Sequence, residues 1–289
     1  MYKAEIIEDS FCASTEERLT TFVVSYPRFV HAELMTHRMF SRNSSSSRAI
    51  PNARMIASIE EDPVIPVWWG KNQKGMQAVV EIDNITSAER EWLEARDMML
   101  GYSRKLAKLG MHKQIANRLL EPWMFITVII TATEFDNFFV LRTDCDPQPD
   151  DSSILAARGF NPSFPAQPEI QKIARMMWEL YIKEEYKVVE PGYWHLPFVT
   201  KKEREALGIA VRQKLSVARC ARVSYLNHDG TQDIDSDLRL YIQLSTAGHW
   251  SPFEHMAQAQ ETDARFGNLF GWRQYRKQFP NENAGRKLD

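Results

Sequence analysis

At 289 residues, 44 % hydrophobic and 26 % charged, the chain has the makeup of an ordinary globular protein able to bury a large core, as one domain or two closely packed ones. A formal net charge of −2 argues against bulk electrostatic binding to nucleic acid as the primary partner, while leaving room for a local basic pocket. Cys12, Cys145 and Cys220 are odd in number and far apart, which gives neither a disulfide framework nor metal-ligand spacing and fits a reducing compartment. Met1-Tyr2-Lys3-Ala4-Glu5 carries no signal-peptide core, and the most apolar run, Phe125 to Ala132, is far too short to span a bilayer. The expectation is a cytoplasmic protein without a membrane partner and without a bound metal.

In chain order, Lys3 to Asp9 and Arg18 to Tyr26 are strand-like, with Phe22, Val23 and Val24 of β-branched and aromatic type. Pro27 is placed to open a helix carrying His31, Glu33 and His37, with apolar Phe29, Val30, Leu34 and Met35 at helical spacing and an exit near Phe40. Thr36 to Arg48 then concentrates His37, Arg38, Arg42, Asn43, Arg48 and the serines 41 and 44–47, with no carboxylate. Serines compete for backbone hydrogen bonds, so this stretch reads as a loop. Hydroxyls, amides and guanidinium forks suit a phosphate; a solvated serine linker is the alternative.

Ile50-Pro51 starts a short helix through Ile59, and residues 63–80, with the Trp68-Trp69 pair, read as a packed loop. Ser87 to Leu109 is a long amphipathic helix with Ser87 as N-cap and Gly110 as terminator. His112 to Arg142 reads as one or two helices kinked at Pro122, buried all round from Trp123 to Ala132. Residues 143–167 form a long proline-rich, lid-like loop. Pro168 to Lys187 returns to helix, Pro191 to Pro197 is an aromatic turn, and Lys201 to Val217 is helical, with continuation towards Tyr225. Asp235 to Ala247 is a helix closed by Gly248; His249 to His255 is a tight corner into a strand, and Asn268 to Gln278 is a last basic helix.

Three separated stretches together resemble the flavin-dependent thymidylate synthase (ThyX) family. The first is His37-Arg38, Asn43, Ser46 and Arg48, at the spacing of the family's Arg-His-Arg motif and its downstream serine. The second is Asn137, Phe138, Leu141 and Arg142, followed by Ala166-Gln167-Pro168-Glu169-Ile170, similar to the family's Ala-Gln-x-Glu-Ile. The third is Ala221-Arg222-Val223-Ser224 with Gly248-His249-Trp250-Ser251-Pro252-Phe253-Glu254-His255. In the family that corner precedes the Arg-His-Arg helix, so this chain looks circularly permuted. The tail Asn281-Glu282-Asn283-Ala284-Gly285-Arg286 again resembles the family's basic loop, so a strand–helix–loop unit recurs at about 18–48 and 254–286, by partial duplication or by chance.

The resemblance implies a single α/β (α+β) ThyX-like domain over 1–289, an antiparallel-rich sheet flanked by long helices, and a homotetramer. It implies FAD, with NADPH and methylenetetrahydrofolate as co-substrates and dUMP or a related pyrimidine nucleotide as substrate. Arg142 and Arg118 would be catalytic, Arg142 polarising the pyrimidine carbonyl. Glu33, Ser46, Ser47 and Arg48, with the same two arginines, would bind the nucleotide. His37, Arg38, Asn43, Asn137, His249, Ser251 and Glu254 would bind FAD. Simpler roles stand beside these: His249 capping a helix, Glu254 paired with His255, Arg142 compensating a helix C-terminus, and Trp68, Trp69 and Trp194 packing.

Four positions depart from the family: Thr36 for its first arginine, Glu33 for a glutamine, Ser44 for a glutamate and Ala49 for a tyrosine. A carboxylate gained near the nucleotide could accept from cytosine's exocyclic amine, or could be answered by Arg276 or Arg286. The implied activity is thymidylate synthesis from dUMP. The alternatives are a dUMP or dCMP hydroxymethylase and an inactive homologue that binds nucleotide or RNA.

Overall fold

The computed structural model describes residues 1–145, 157–183, 185–223, 233–280 and 282. The β-branched and aromatic residues near the start form a long antiparallel hairpin, β1 (Lys3–Cys12) with β2 (Glu17–Pro27), whose register shifts between Ile6 and Glu8. A short helix, α1 (His31–Met35), follows a 3-10 turn at Arg28–Val30 and ends before His37. The serine segment is not a loop from its start: Ser41–Ser44 is an edge strand, β3, whose alternate residues are buried. Helix α2 (Asn52–Glu61) and the long α3 (Ile85–Lys108) come next. The N-cap of α3 is Asn84, whose side chain accepts from the Ser87 amide, so the helix begins two residues before the expected serine.

The stretch His112–Arg142 corrects the helical expectation. It forms α4 (Lys113–Ala116), a 3-10 segment at Asn117–Trp123 containing Pro122, strand β4 (Phe125–Ala132) and α5 (Asp136–Arg142). A continuous apolar run buried on both faces has no period to separate strand from helix, and the run's β-branched Ile126 to Thr131 decides for strand. Strand β4 pairs with β2 along its whole length, Phe22 opposite Ile130 and Val23 opposite Ile129, and with β3 on its other edge.

Helix α6 (Pro168–Tyr181) stops well short of Lys187, because Lys187–Val189 is strand β5, parallel to β1. The sheet order is β3-β4-β2-β1-β5. One face, with Phe22, Val24, Ile126 and Val128, packs on Phe135 and Phe138 of the α5 region and on Ile170, Ile173 and Met177 of α6. The other face, with Val23 and Ile129, is covered by the C-terminal third, including Leu196, Val217, Phe253 and Met256.

That third comprises β6 (Trp194–His195), α7 (Lys201–Ala206), α8 (Ile209–Arg222), α9 (Ile234–Ala247) and a 3-10 turn at Ser251–Glu254. The expected helix from Lys201 is broken at Leu207-Gly208. Gly248 closes α9 with φ +70°. The expected basic helix at the end is instead β9 (Leu269–Phe270) and β10 (Trp272–Gln274), joined at Gly271 with φ +65° and followed by a 3-10 turn at Tyr275–Gln278. Strands β7 (Ala257–Ala259) and β8 (Arg265–Phe266) pair with β10 and β9 respectively. Trp272 is wholly buried, and its indole packs among Cys12, Leu19 and Val189, a contact that strand geometry supplies. Ser224, Asn281, residues 283–286 and residues 146–156 of the lid-like loop lie outside the described residues.

Gln274, 2 % exposed, joins the C-terminal third to β3: its amide donates to Ser41 Oγ at 3.0 Å, to Asn268 Oδ1 at 2.8 Å and to the Glu254 carbonyl at 3.4 Å. Gln274→Ala removes this donor from Asn268 Oδ1 and the Glu254 carbonyl, while Ser41 Oγ keeps Asn268, and should cost about 1–3 kcal/mol of stability, read from the midpoint of urea unfolding at unchanged slope.

Candidate functional site

The turn after α1 is held by Arg42. Its Nη1 donates to the carbonyls of His37 at 2.8 Å, Met35 at 3.1 Å and Leu34 at 3.5 Å, satisfying the open end of the helix with a cation. The sequence groups Arg42 with the forks suited to a phosphate, whereas the fold uses its Nη1 at the helix end; an arginine a few residues past a helix end was the available signal. His37 lies on this turn, 7 % exposed, its ring stacked on Phe40 and edge-on to Phe138.

Arg142, the last residue of α5, reaches the same turn. Nε donates to His37 Nε2 at 3.0 Å, Nη1 to Glu33 Oε2 at 3.3 Å and Nη2 to Thr36 Oγ1 at 3.3 Å. An arginine cannot accept, so His37 Nε2 is the unprotonated nitrogen and the ring is neutral. Burial, then the nearby Arg142 and Arg42 charges, lower its pKa to about 4. The pKa of Glu33 is raised, first by burial and then by Glu169, against the opposing pull of Arg142.

Two hollows flank this cluster. A cavity of about 750 Å³ is walled by Phe29, Glu33, Trp68, Arg142, Gln167 and Glu169, among others. A cleft of about 270 Å³ lies between Thr36–Phe40 and Glu134–Phe138, with Arg38 and Asn137 exposed on its walls. The structure therefore gathers Glu33, His37, Arg38, Asn137 and Arg142 around one turn.

The serines follow on from β3. The Ser45 backbone amide donates to the Thr127 carbonyl, and its hydroxyl accepts from the Thr127 amide. Asn117, wholly buried, donates to the carbonyls of Ser47 at 2.7 Å and Ile50 at 3.1 Å and accepts from Asn52, so a carboxamide fixes the turn from inside. Ser47 is buried, Ser46 half-buried and Arg48 exposed. Among the described residues, neither Arg48 nor Arg38 has an ion-pair or hydrogen-bond partner. Arg118 is not brought to Arg142: it faces solvent and pairs with Glu121 at 2.6 Å, and it lines neither hollow.

The C-terminal corner reaches the motif through its backbone. Gln274 joins the Glu254 carbonyl to Ser41, and Asn268 donates to the Met39 carbonyl at 2.7 Å. The Glu254 carboxylate is taken by Arg276, whose guanidinium also binds Glu282. His249 and Ser251 are exposed, and neither lines the cleft. His249 closes α9, its amide donating to the Leu244 carbonyl. Arg276 thus answers Glu254 and Glu282, and Glu33 is answered by Arg142.

Below the corner, a chain of buried polar groups crosses the sheet: Ser10 to His195 Nδ1, His195 Nε2 to Thr21, Thr21 to Thr131, and Thr131 to His255 Nδ1. His255 Nε2 and Asn43 Oδ1 are buried without partners among the described residues.

A flavin mononucleotide portion carries ring acceptors and phosphate. The unpaired Arg38 guanidinium and exposed Asn137 amide in the cleft suit those groups, with Glu134 and Asp136 on the same walls, whereas the buried Asn43 lines neither hollow. At about 270 Å³ the cleft falls below the roughly 300–1,000 Å³ that encloses a drug-sized ligand, so this chain alone would cover only part of FAD.

A family model described as "Thymidylate synthase complementing protein" matches residues 6–185, which include the basic motif, Arg142 and Ala166–Ile170 and leave out the Gly248–His255 corner. No curated protein matches the chain. Among solved structures, two of a UMP/dUMP methylase PolB from Streptomyces cacaoi, bound with 5-Br UMP and with 5-Br dUMP, align at TM-score 0.46 and 18 % identity over 63 % of this chain, covering 89 % and 91 % of theirs.

Between pH 6.5 and about 4 the unfolded chain takes up a proton at His37 that the folded chain refuses, so this residue's contribution to stability falls as pH falls through that window. His37→Gln keeps an acceptor for Arg142 without the titration. Thermal unfolding from pH 7 to pH 4 should show the wild type losing more stability than this variant, a comparison that cancels the other titrating groups.

Proposed function

Because the chain belongs to the thymidylate synthase complementing protein family, we propose that it is a flavin-dependent enzyme that modifies C5 of a pyrimidine nucleotide, with reductive methylation of dUMP as its reaction. The observation that carries this reading is Arg142, held by three acceptors at the wall of the larger cavity. A guanidinium fixed before substrate arrives pays no reorganisation when negative charge grows on a pyrimidine carbonyl. Its neighbours act through it: His37 and Thr36 orient the fork, and Glu33 balances its charge. Arg142 is the catalytic residue in this reading and His37 a positioning residue.

Ser46 and Arg48 bind the nucleotide phosphate, where a half-buried hydroxyl and an unpaired fork meet a dianion. Ser47 contributes through the backbone of the turn that Asn117 fixes. Arg38, Asn137 and Asn43 hold the flavin, whose pocket a second copy of the chain completes in a homotetramer. His249, Ser251 and Glu254 belong to that pocket only through such a neighbour, and so does Arg118 to the nucleotide site. When bound, FAD reduced by NADPH supplies the hydride that converts a methylene, delivered from methylenetetrahydrofolate to C5, into a methyl group. The same reading takes residues 1–289 as a single permuted unit with a repeated strand-helix-loop segment and a lid at 143–167.

Thr36 and Glu33 favour a second reading, a hydroxymethylase of dUMP or dCMP, because they exchange a cation for a hydroxyl and an amide for a carboxylate beside Arg142. Labelled methylenetetrahydrofolate separates the two: a methyl product with NADPH consumed supports the first, a hydroxymethyl product without NADPH consumption the second.

The purified protein should show flavin absorption that NADPH bleaches; no flavin bound and none taken up overturns the enzymatic reading in favour of a binding homologue. Arg142→Ala should lower kcat by about 10²-fold or more with the fold intact by circular dichroism. Ser46→Ala and Arg48→Ala should chiefly raise KM for the nucleotide, with kcat changed less.

A further inference from the structure

Helix α3 uses only one of its sides within this chain. Trp92 and Leu100 pack with Ile56, Ile59, Leu120 and Trp123, and the buried Ser103 hydroxyl accepts from Asn52 and donates to the Ala116 carbonyl. The opposite side is a stripe of Glu91, Glu94, Met98, Tyr102 and Lys105, with Leu109 at the C-cap, in steps of three and four residues that keep them on one face. All six are exposed, the apolar three to 60 % at Met98, 50 % at Tyr102 and 82 % at Leu109. None of them lines either hollow of the site.

Charge along the stripe is ordered. Glu91 and Glu94 make its first part acidic, Lys105 with Lys108 beside it makes the last part basic, and Met98 and Tyr102 occupy the middle. Neither Lys105 nor Lys108 has an ion-pair partner among the described residues, and Glu91 and Glu94 meet only Arg90 of their own helix, at 3.2 and 3.7 Å, with all three side chains largely exposed. Pairs of that kind contribute little. The helix dipole does not account for the two glutamates, which lie beyond the first turn, where its effect fades. Gly101 sits on the same surface between Met98 and Tyr102. A glycine inside a helix weakens it relative to alanine, yet a Cβ added here would meet no atom of this chain within 4 Å. The chain's own packing gives no reason for a glycine; a second backbone crossing close to this point does.

We propose that this stripe docks a second copy of the chain, the two α3 helices lying antiparallel about a two-fold axis between Met98 and Tyr102. In that register Met98 packs on the partner's Tyr102 over the two Gly101 backbones. Glu94 meets the partner's Lys105, and Glu91 meets the partner's Lys108 beside the partner's Leu109. The symmetry makes every contact twice, so four charge pairs flank an apolar centre. A parallel arrangement would set Glu94 against the partner's Glu94 and Lys105 against the partner's Lys105, so charge selects the antiparallel one. The stripe runs for about 27 Å at 1.5 Å per residue, which gives the pairing a defined register. The contact needs neither flavin nor nucleotide, and it is separate from the neighbour that completes the flavin pocket in the function proposed above.

Charge exchange tests both the surface and the register. Sedimentation velocity of the 289-residue chain over a concentration series should show a dimer or a multiple of it. Glu94→Lys and Lys105→Glu each bring like charges together at two symmetric places and should each weaken association by about tenfold or more. The double variant Glu94→Lys/Lys105→Glu sets opposite charges face to face again and should recover most of that loss. Gly101→Leu fills the crossing point and should weaken association by about tenfold or more, with helical circular dichroism unchanged. Where another interface persists, each loss reads as a halving of the assembly's mass.

A wild-type chain that stays monomeric at every concentration overturns the proposal and leaves the stripe to a different protein. Association unchanged by either single reversal overturns it as well, and so does a double variant as dissociated as the single ones, because Glu94 and Lys105 then do not face each other. The wild-type series decides even where a variant fails to fold. Flavin uptake is read on the same samples, so the enzymatic reading and this interface stand or fall separately.

Discussion

The edge strand Ser41–Ser44 is short, polar and flanked by a turn and a serine run, so it would not hold its place unaided. It is fixed by β4 on one side and by the buried amide of Gln274, which reaches Ser41 from the C-terminal third, on the other. Asn268 adds a second bridge to Met39 and Ser41. The His37 turn precedes this strand and the Ser46–Arg48 turn follows it. Both ends of the site therefore inherit their position from one strand that distant parts of the chain hold in register.

Within the site, charge is arranged by mutual restraint. Arg142 is 20 % exposed, and such a cation needs acceptors around it. It finds a carboxylate, a hydroxyl and an imidazole nitrogen. The histidine stays neutral because burial and two neighbouring arginines disfavour its charged form. A neutral acceptor leaves the guanidinium's positive charge unopposed on that side, whereas a second carboxylate would cancel it. Glu33 shares its charge with Arg142 through one oxygen.

The C-terminal third also protects the sheet. Without it, Val23 and Ile129 would face water, and the polar row of Thr21 and Thr131 would lose His195 and His255 as partners. Burial lowers the pKa of both histidines, consistent with a network of neutral groups sharing hydrogen bonds across the interface. A smaller cluster binds the helices that cover this face: Arg219, 5 % exposed, pairs with Glu203 at 2.6 Å and Asp237 at 2.9 Å, and holds the Glu203 carboxyl down at about 2.

Much was written locally in the residues: the β1–β2 hairpin, the starts of α2 and α6 at proline, the glycine stop of α9, the basic motif and Arg142. These follow from backbone preferences and from side-chain types at fixed spacing, which act within a few residues. The strand β4 and the strands that replace the expected last helix were decided by tertiary structure. An apolar run buried on both faces carries no periodicity, and the four-residue polar strand Ser41-Arg42-Asn43-Ser44 exists only because β4 and Gln274 lie beside it. The role of Arg42 at a helix end, the strut Asn117, and the pairing of Glu33 with Arg142 were likewise decided by the folded chain. Each depends on groups tens or hundreds of positions apart, whose meeting no local pattern records.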